Sequence, residues 1–82
     1  MLGKFLKEKR IEAGLSQKEV SDKMGWKTYQ MVSNNERGMS NPPMKSISKL
    51  AKLYKIEASD IAEHMRVDEI KRINKKYSKF IK

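Results

Sequence analysis

The chain contains no cysteine, so neither a disulfide framework nor a thiolate metal site can form. That suits a reducing compartment. No apolar run approaches the length of a membrane span, and the opening stretch MLGKFLKEKR lacks the apolar core of a secretory signal. A cytoplasmic location is therefore expected. Catalytic constellations are missing as well: no carboxylate pair, nucleophile–base set, glycine-rich phosphate loop or metal-spaced cluster can be picked out. Scattered Asp and Glu read as helix-surface charges, and the single His64, among charged neighbours, reads as a surface residue. No enzymatic activity, cofactor or metal is expected. Acid is scarce, with none after Glu69. What remains in excess is positive charge: 19 Lys and Arg against 10 Asp and Glu give a net +9. Such a balance favours polyanionic partners, nucleic acid first and anionic membrane second. With 82 residues there is room for one domain and one small core.

The chain is organised around SQKEVSDKMGWKTYQMVSNNERG, residues 16–38. Ser16 is a natural N-cap, and Glu19 falls three residues later, where a capping box places it. Val20 and Met24 share one face of a short helix, and Gly25 ends it in the left-handed conformation that glycine adopts without steric cost. A second short helix is expected from Thr28, capped by its hydroxyl, with Met31 and Val32 inward and Gly38 closing it. Two helices this short must cross over a common core, leaving the outer face of the second free. That face carries Tyr29, Gln30, Ser33 and Asn34, all uncharged hydrogen-bonding types. Amides such as Gln30 and Asn34 can pair bidentately with adenine in a major groove, and Ser33 can serve several bases. The alternative is a polar surface helix that contacts nothing.

Three stretches together resemble the Cro/cI-type (XRE-like) helix-turn-helix regulators related to phage repressors: KRIEAGLSQKEVSDKMG, VSNNERG and NPPMKSISKLAKLYKI. The resemblance covers roughly residues 2–65. It implies an all-α, lambda-repressor-like domain of five or six helices, with the helix-turn-helix at about 17–36. It also implies an ion pair between Arg10 in the first helix and Glu36, bidentate and buried, which would fix the crossing of helix one on helix three. Gln17, the first residue of helix two, lies where free backbone N–H groups favour phosphate. By resemblance it holds a DNA phosphate and also braces Gln30; the alternative is an exposed glutamine near a cap. Lys27, Thr28 and Arg37 are further candidates for phosphate, and relatives approach DNA where Ser40 and Asn41 lie. The chain departs from the pattern in a turn, WKTY, one residue longer than usual, which leaves the register of Tyr29 and Gln30 open by one position. Asn35 fills a slot that is usually apolar, so it is either tilted outward or hydrogen-bonded internally. Trp26 is expected as a lid over the core rather than a wedge on DNA.

The first helix is expected over 2–13, with Leu2, Phe5, Leu6 and Ala13 on one side and Gly14 stopping it. After the loop GMSNPP, Pro43 suits the first turn of a fourth helix running to about Tyr54. Ile47, Leu50, Ala51 and Tyr54 form its apolar side, and Lys45 is its best candidate for phosphate. Ser59 is expected to cap a fifth helix, with Asp60 at its positive end. Residues 1–65 would be the DNA-binding domain and 66–82 a basic amphipathic helix. Along that tail Val67, Ile70, Ile73, Tyr77 and Phe80 fall on one stripe. Three partners are open to it: its own domain, a second subunit or an anionic membrane. Dimerisation through Ile70, Ile73, Tyr77 and Phe80 is the favoured reading. The expected function is that of a dimeric repressor of transcription on a palindromic double-stranded operator. The alternative is an antitoxin, whose tail stripe holds a toxin protein and which also binds DNA.

Overall fold

Five helices make the fold, α1 Leu2–Glu12, α2 Gln17–Met24, α3 Gln30–Glu36, α4 Ile47–Tyr54 and α5 Ala58–Tyr77, with no strand among the described residues. The structure, a computed structural model, describes residues 1–78. Phe80, assigned above to the tail stripe, lies outside them.

Local chemistry sets most of the boundaries. At the start of α2 the Ser16 hydroxyl accepts from the Glu19 N–H at 3.0 Å, and the Ser16 N–H donates to Glu19 Oε1 at 3.0 Å. The Ser16 N–H, and then its hydroxyl, hold the Glu19 carboxyl below the usual carboxylate range. Gly25 ends α2 at φ 80°, in the left-handed region. Helix α3 begins at Gln30 and not at Thr28, because Trp26–Tyr29 are taken up by the enlarged turn. The Thr28 hydroxyl still caps it from farther out, accepting from the Gln30 N–H at 3.2 Å. A single 3₁₀ turn, Met44–Ser46, leads into α4, and the Pro43 carbonyl accepts from both the N–H and the hydroxyl of Ser46.

Leu6, Val20 and Ile61 sit at the centre, fully buried, ringed by Leu2, Val32, Leu50, Ala51 and Tyr54. Trp26 packs partly buried against this cluster, as expected of a lid. Burial pushes the Tyr54 hydroxyl up, with the nearby Glu36 carboxylate adding to the shift. Helix α1 comes so close to the end of α3 that a Cβ on Gly3 would stand 2.5 Å from the Glu36 carbonyl oxygen. Only glycine fits there.

Helix α5 departs from expectation in three ways. Its N-cap is Glu57, not Ser59; the Glu57 N–H donates to Asp60 Oδ2 at 3.3 Å. It also runs unbroken through Met65 and Arg66, so the expected fifth helix and the amphipathic tail are parts of one 20-residue helix. At 1.5 Å per residue that helix is about 30 Å long. It dominates the 46 × 23 × 21 Å dimensions of the domain. His64, expected at the surface, is half-buried: its ring stacks on Phe5 with centroids 4.1 Å apart. Its Nδ1 lies 2.8 Å from the Asp60 carbonyl. Further along, Asp68 Oδ2 accepts from the Leu2 N–H at 2.9 Å and so caps α1, whose own N-cap residue Met1 supplies no side-chain bond.

Residues Ile61, Met65, Asp68, Arg72 and Lys75 follow four- and three-residue steps and share the side of α5 that faces the domain. Ile70 comes nine residues after Ile61, about two and a half turns, and so points the opposite way. Ile70, Ile73 and Tyr77 are 44%, 46% and 43% exposed. These three point away from their own domain, whereas Val67, at the start of the stripe, is half-buried.

Candidate nucleic-acid interface

The second and third helices are held by one buried polar network. Arg10 Nε donates to Glu36 Oε2 at 2.6 Å and its Nη2 to Glu36 Oε1 at 3.2 Å, the bidentate arrangement that matches guanidinium to carboxylate. Arg10 Nη1 also donates to the Leu15 carbonyl at 2.8 Å, tying the α1–α2 loop to the same centre. The Glu36 side chain is 3% exposed and that of Arg10 12%. Hydrogen bonding to Glu36 raises the Arg10 pKa above its ordinary value, against the opposing effect of burial. Gln17 Nε2 donates to Glu36 Oε1 at 3.1 Å. The partner that Gln17 braces is thus Glu36, not Gln30, because the carboxylate reaches the start of α2 from beneath.

Asn35 is 4% exposed and its amide nitrogen is occupied: it donates to the Ser40 carbonyl at 3.0 Å and to the Ser40 hydroxyl at 3.2 Å. This is the internal of the two alternatives, and it ties the loop after α3 to the helix. The Met39 N–H also reaches back to the Asn34 carbonyl at 2.9 Å, beyond Gly38 at φ 76°.

The outer side of α3 carries its own chain of bonds. Asn34 Oδ1 accepts from Arg37 Nη2 at 2.9 Å and from Gln30 Nε2 at 3.0 Å. Arginine can only donate, so the oxygen of Asn34 must face Arg37 and its amide nitrogen must face outward. Tyr29 is 55% exposed, Gln30 is exposed, and Ser33 and Asn34 are half-buried. Lys27, Thr28, Gln30, Asn34 and Ser40 line one open concavity beside the turn. Asn41 lines a second, and Lys45 is exposed on the 3₁₀ turn without joining either. Three contributors escaped the sequence: Gly3 under the end of α3, Asp68 at the start of α1, and the hold of Arg37 on Asn34. The i, i+3 spacing of Asn34 and Arg37 was the one available signal.

A short α2, a four-residue turn and an α3 carrying an outward polar face, tied together through Arg10 and Glu36, define a DNA-binding helix-turn-helix domain. The chain belongs to the Cro/cI-type helix-turn-helix family: the family model HTH_3, described as helix-turn-helix, matches residues 6–61. Membership assigns DNA as a partner and places the protein among DNA-binding proteins that are typically non-enzymatic. No curated protein matches the sequence. No helix among the described residues is long and apolar enough to cross a membrane.

Proposed function

We propose that the protein is a sequence-specific regulator of transcription that binds double-stranded DNA as a homodimer, reads the major groove with α3 and represses the promoter it occupies. The observation that carries this reading is the uncharged polar face Tyr29, Gln30, Ser33 and Asn34, exposed or half-exposed on a helix whose opposite side is locked by Glu36. In a protein of net charge +9, a merely solvated face would more often carry Lys and Glu. Gln17, Lys27, Thr28, Ser40, Asn41 and Lys45 hold phosphate and set the register; the outer face of α3 reads base edges.

The bonding on that face divides the two amides. Asn34 spends its oxygen on Arg37 and Gln30, so it offers only donors, which suit guanine N7 and O6 or thymine O4. Gln30 keeps its oxygen and a second N–H, the pair that adenine N6 and N7 require. Arg37 thereby positions Asn34 besides lying near phosphate. Dimerisation uses the outward stripe Ile70, Ile73 and Tyr77, and a two-fold dimer presents its recognition helices about 34 Å apart. Occupying a promoter needs no further domain, which favours repression.

Selection of bound duplexes from a random library tests the reading. A palindromic site is expected, with Gln30→Ala or Asn34→Ala weakening that site while sparing random DNA, and Gln17→Ala weakening both alike. Equal losses on cognate and random duplexes for Asn34→Ala would contradict base reading. Sedimentation gives the oligomeric state. A monomer that enriches no site would shift the weight to the antitoxin reading, in which the same stripe holds a toxin.

A further inference from the structure

On the domain-facing side of α5 the chemistry reverses where the core ends. Ile61 and Met65 are apolar and packed, Asp68 caps α1, and then Lys71, Arg72 and Lys75 continue the same side. The apolar residues of this segment lie on the side turned away. A helix that served only to cover its own domain would carry the opposite pattern, apolar inward and basic outward.

The basic residues also have a definite neighbour. Together with Asp68 they line a concavity whose other wall includes Gly38 and Asn41, at the end of α3 and in the loop beyond it. Ser40, in the same loop, lines the concavity beside the recognition face. The loop is therefore the shared wall between the face of α3 and the basic side of α5. The one acid lining this groove, Asp68, is occupied by the Leu2 N–H, and Glu69, outside it, pairs with Arg72 at 3.3 Å. Among the described residues neither Lys71 nor Lys75 is paired with an acid.

We infer that Lys71, Arg72 and Lys75, with the Gly38–Asn41 loop, form a second DNA contact that receives the sugar–phosphate backbone flanking the bases read by α3. This rests on the reading of α3 as the recognition helix and extends it: the footprint is longer than the helix-turn-helix alone, and its outer part is insensitive to sequence. Clustered positive charge beside a groove, with no amide or aromatic among the contributing α5 side chains, matches a backbone contact rather than base readout. The outward stripe stays free for the second subunit, so one helix serves both surfaces.

The test compares two duplexes carrying the selected site, one trimmed to the enriched bases and one extended by half a turn on each side. On the extended duplex, the double variant Lys71→Gln/Lys75→Gln removes two contacts from each subunit of the dimer and should bind about 10³-fold more weakly at 150 mM salt, with the slope of log K against log salt smaller by about 4. On the trimmed duplex it should match the parent protein. The control Lys49→Gln/Lys52→Gln, exposed on α4, removes the same charge and should leave the length dependence intact. Equal losses for both double variants on both duplexes would mean long-range charge alone and would overturn the groove contact. So would a parent protein whose affinity ignores the flanks. Loss of binding to phosphatidylserine vesicles, with the extended duplex bound normally, would assign the groove to a membrane surface and also overturn it. Failure of the recognition reading is distinct: the parent protein then prefers no duplex sequence at all.

Discussion

Two Arg–Glu contacts in this domain have the same length and very different standing. Arg10 Nε meets Glu36 Oε2 at 2.6 Å, and Arg66 Nη2 meets Glu63 Oε1 at 2.6 Å. The first pair has side chains 12% and 3% exposed and joins helices 26 residues apart in sequence; the second is 63% and 57% exposed and lies within one turn of α5. Water competes for every bond of the outer pair, and salt screens it. At the inner pair, burial has removed the water, so each partner depends on the other, and Gln17 depends on both. Distance alone therefore says little about what an ion pair does. Here the inner one orients α3 on α1, and the outer one decorates a surface.

The largest expected effect breaks the inner pair. Glu36→Ala strands the Arg10 guanidinium and frees Gln17 together, and should cost on the order of 3 kcal/mol in urea unfolding. Replacing both partners by apolar side chains, Arg10→Met with Glu36→Leu, should recover most of that loss, because desolvation offsets most of the attraction within such a pair. DNA binding should stay impaired in the double variant, since the Gln17 side chain then loses the carboxylate that orients it. Full recovery of binding along with stability would show that the pair orients nothing.

A smaller effect comes from the backbone beside the pair. A Cβ at position 3 would meet the Glu36 carbonyl oxygen at 2.5 Å and that of Asn35 at 2.9 Å, neither of which can swing aside. Gly3→Ala should therefore cost about 1–3 kcal/mol by forcing α1 away from α3. Next is Asn35→Ala, which removes the two bonds that tie the Ser40 loop to α3 and empties the space of a buried side chain, at about 1–2 kcal/mol. If either substitution left thermal unfolding unchanged, the region under α3 would be far softer than its burial indicates.

How much of this was legible beforehand follows from whether the signal was local. The capping box of Ser16 and Glu19, the stop at Gly25 and the buried side of α4 are matters of neighbours one turn apart, and the sequence displays them. Membership of the family and the Arg10–Glu36 pair came from a resemblance, since no local rule joins residues 26 apart. Residue type places the start of α3 too early, because Thr28 is a better cap than Tyr29 and the extra turn residue leaves no periodic mark. By type Ser59 is likewise a better cap than Glu57, yet it is Glu57 that Asp60 reciprocates. The orientation of the tail stripe was hidden in a different way. Periodicity defines a face of a helix but not the side on which the rest of the protein lies, and beyond Met65 it is the outward face of α5 that carries Ile70, Ile73 and Tyr77.

The smallest effect concerns the outer pair. The Arg66 guanidinium, through its hydrogen bond first and its charge second, holds the Glu63 carboxyl below the usual carboxylate range. A carboxylate with a depressed pKa in the folded state contributes stability above its ordinary value near 4.5, and loses that contribution as pH falls through the folded value. Any advantage of the parent protein over Glu63→Gln should therefore be present at neutral pH and vanish in acid. Exposure to solvent and salt weakens it further: at 0.15 M salt the two melting temperatures should coincide even at pH 7, separating only when salt is lowered. Should Glu63→Gln melt as early as Glu36→Ala at physiological salt, burial would not be what distinguishes the two pairs.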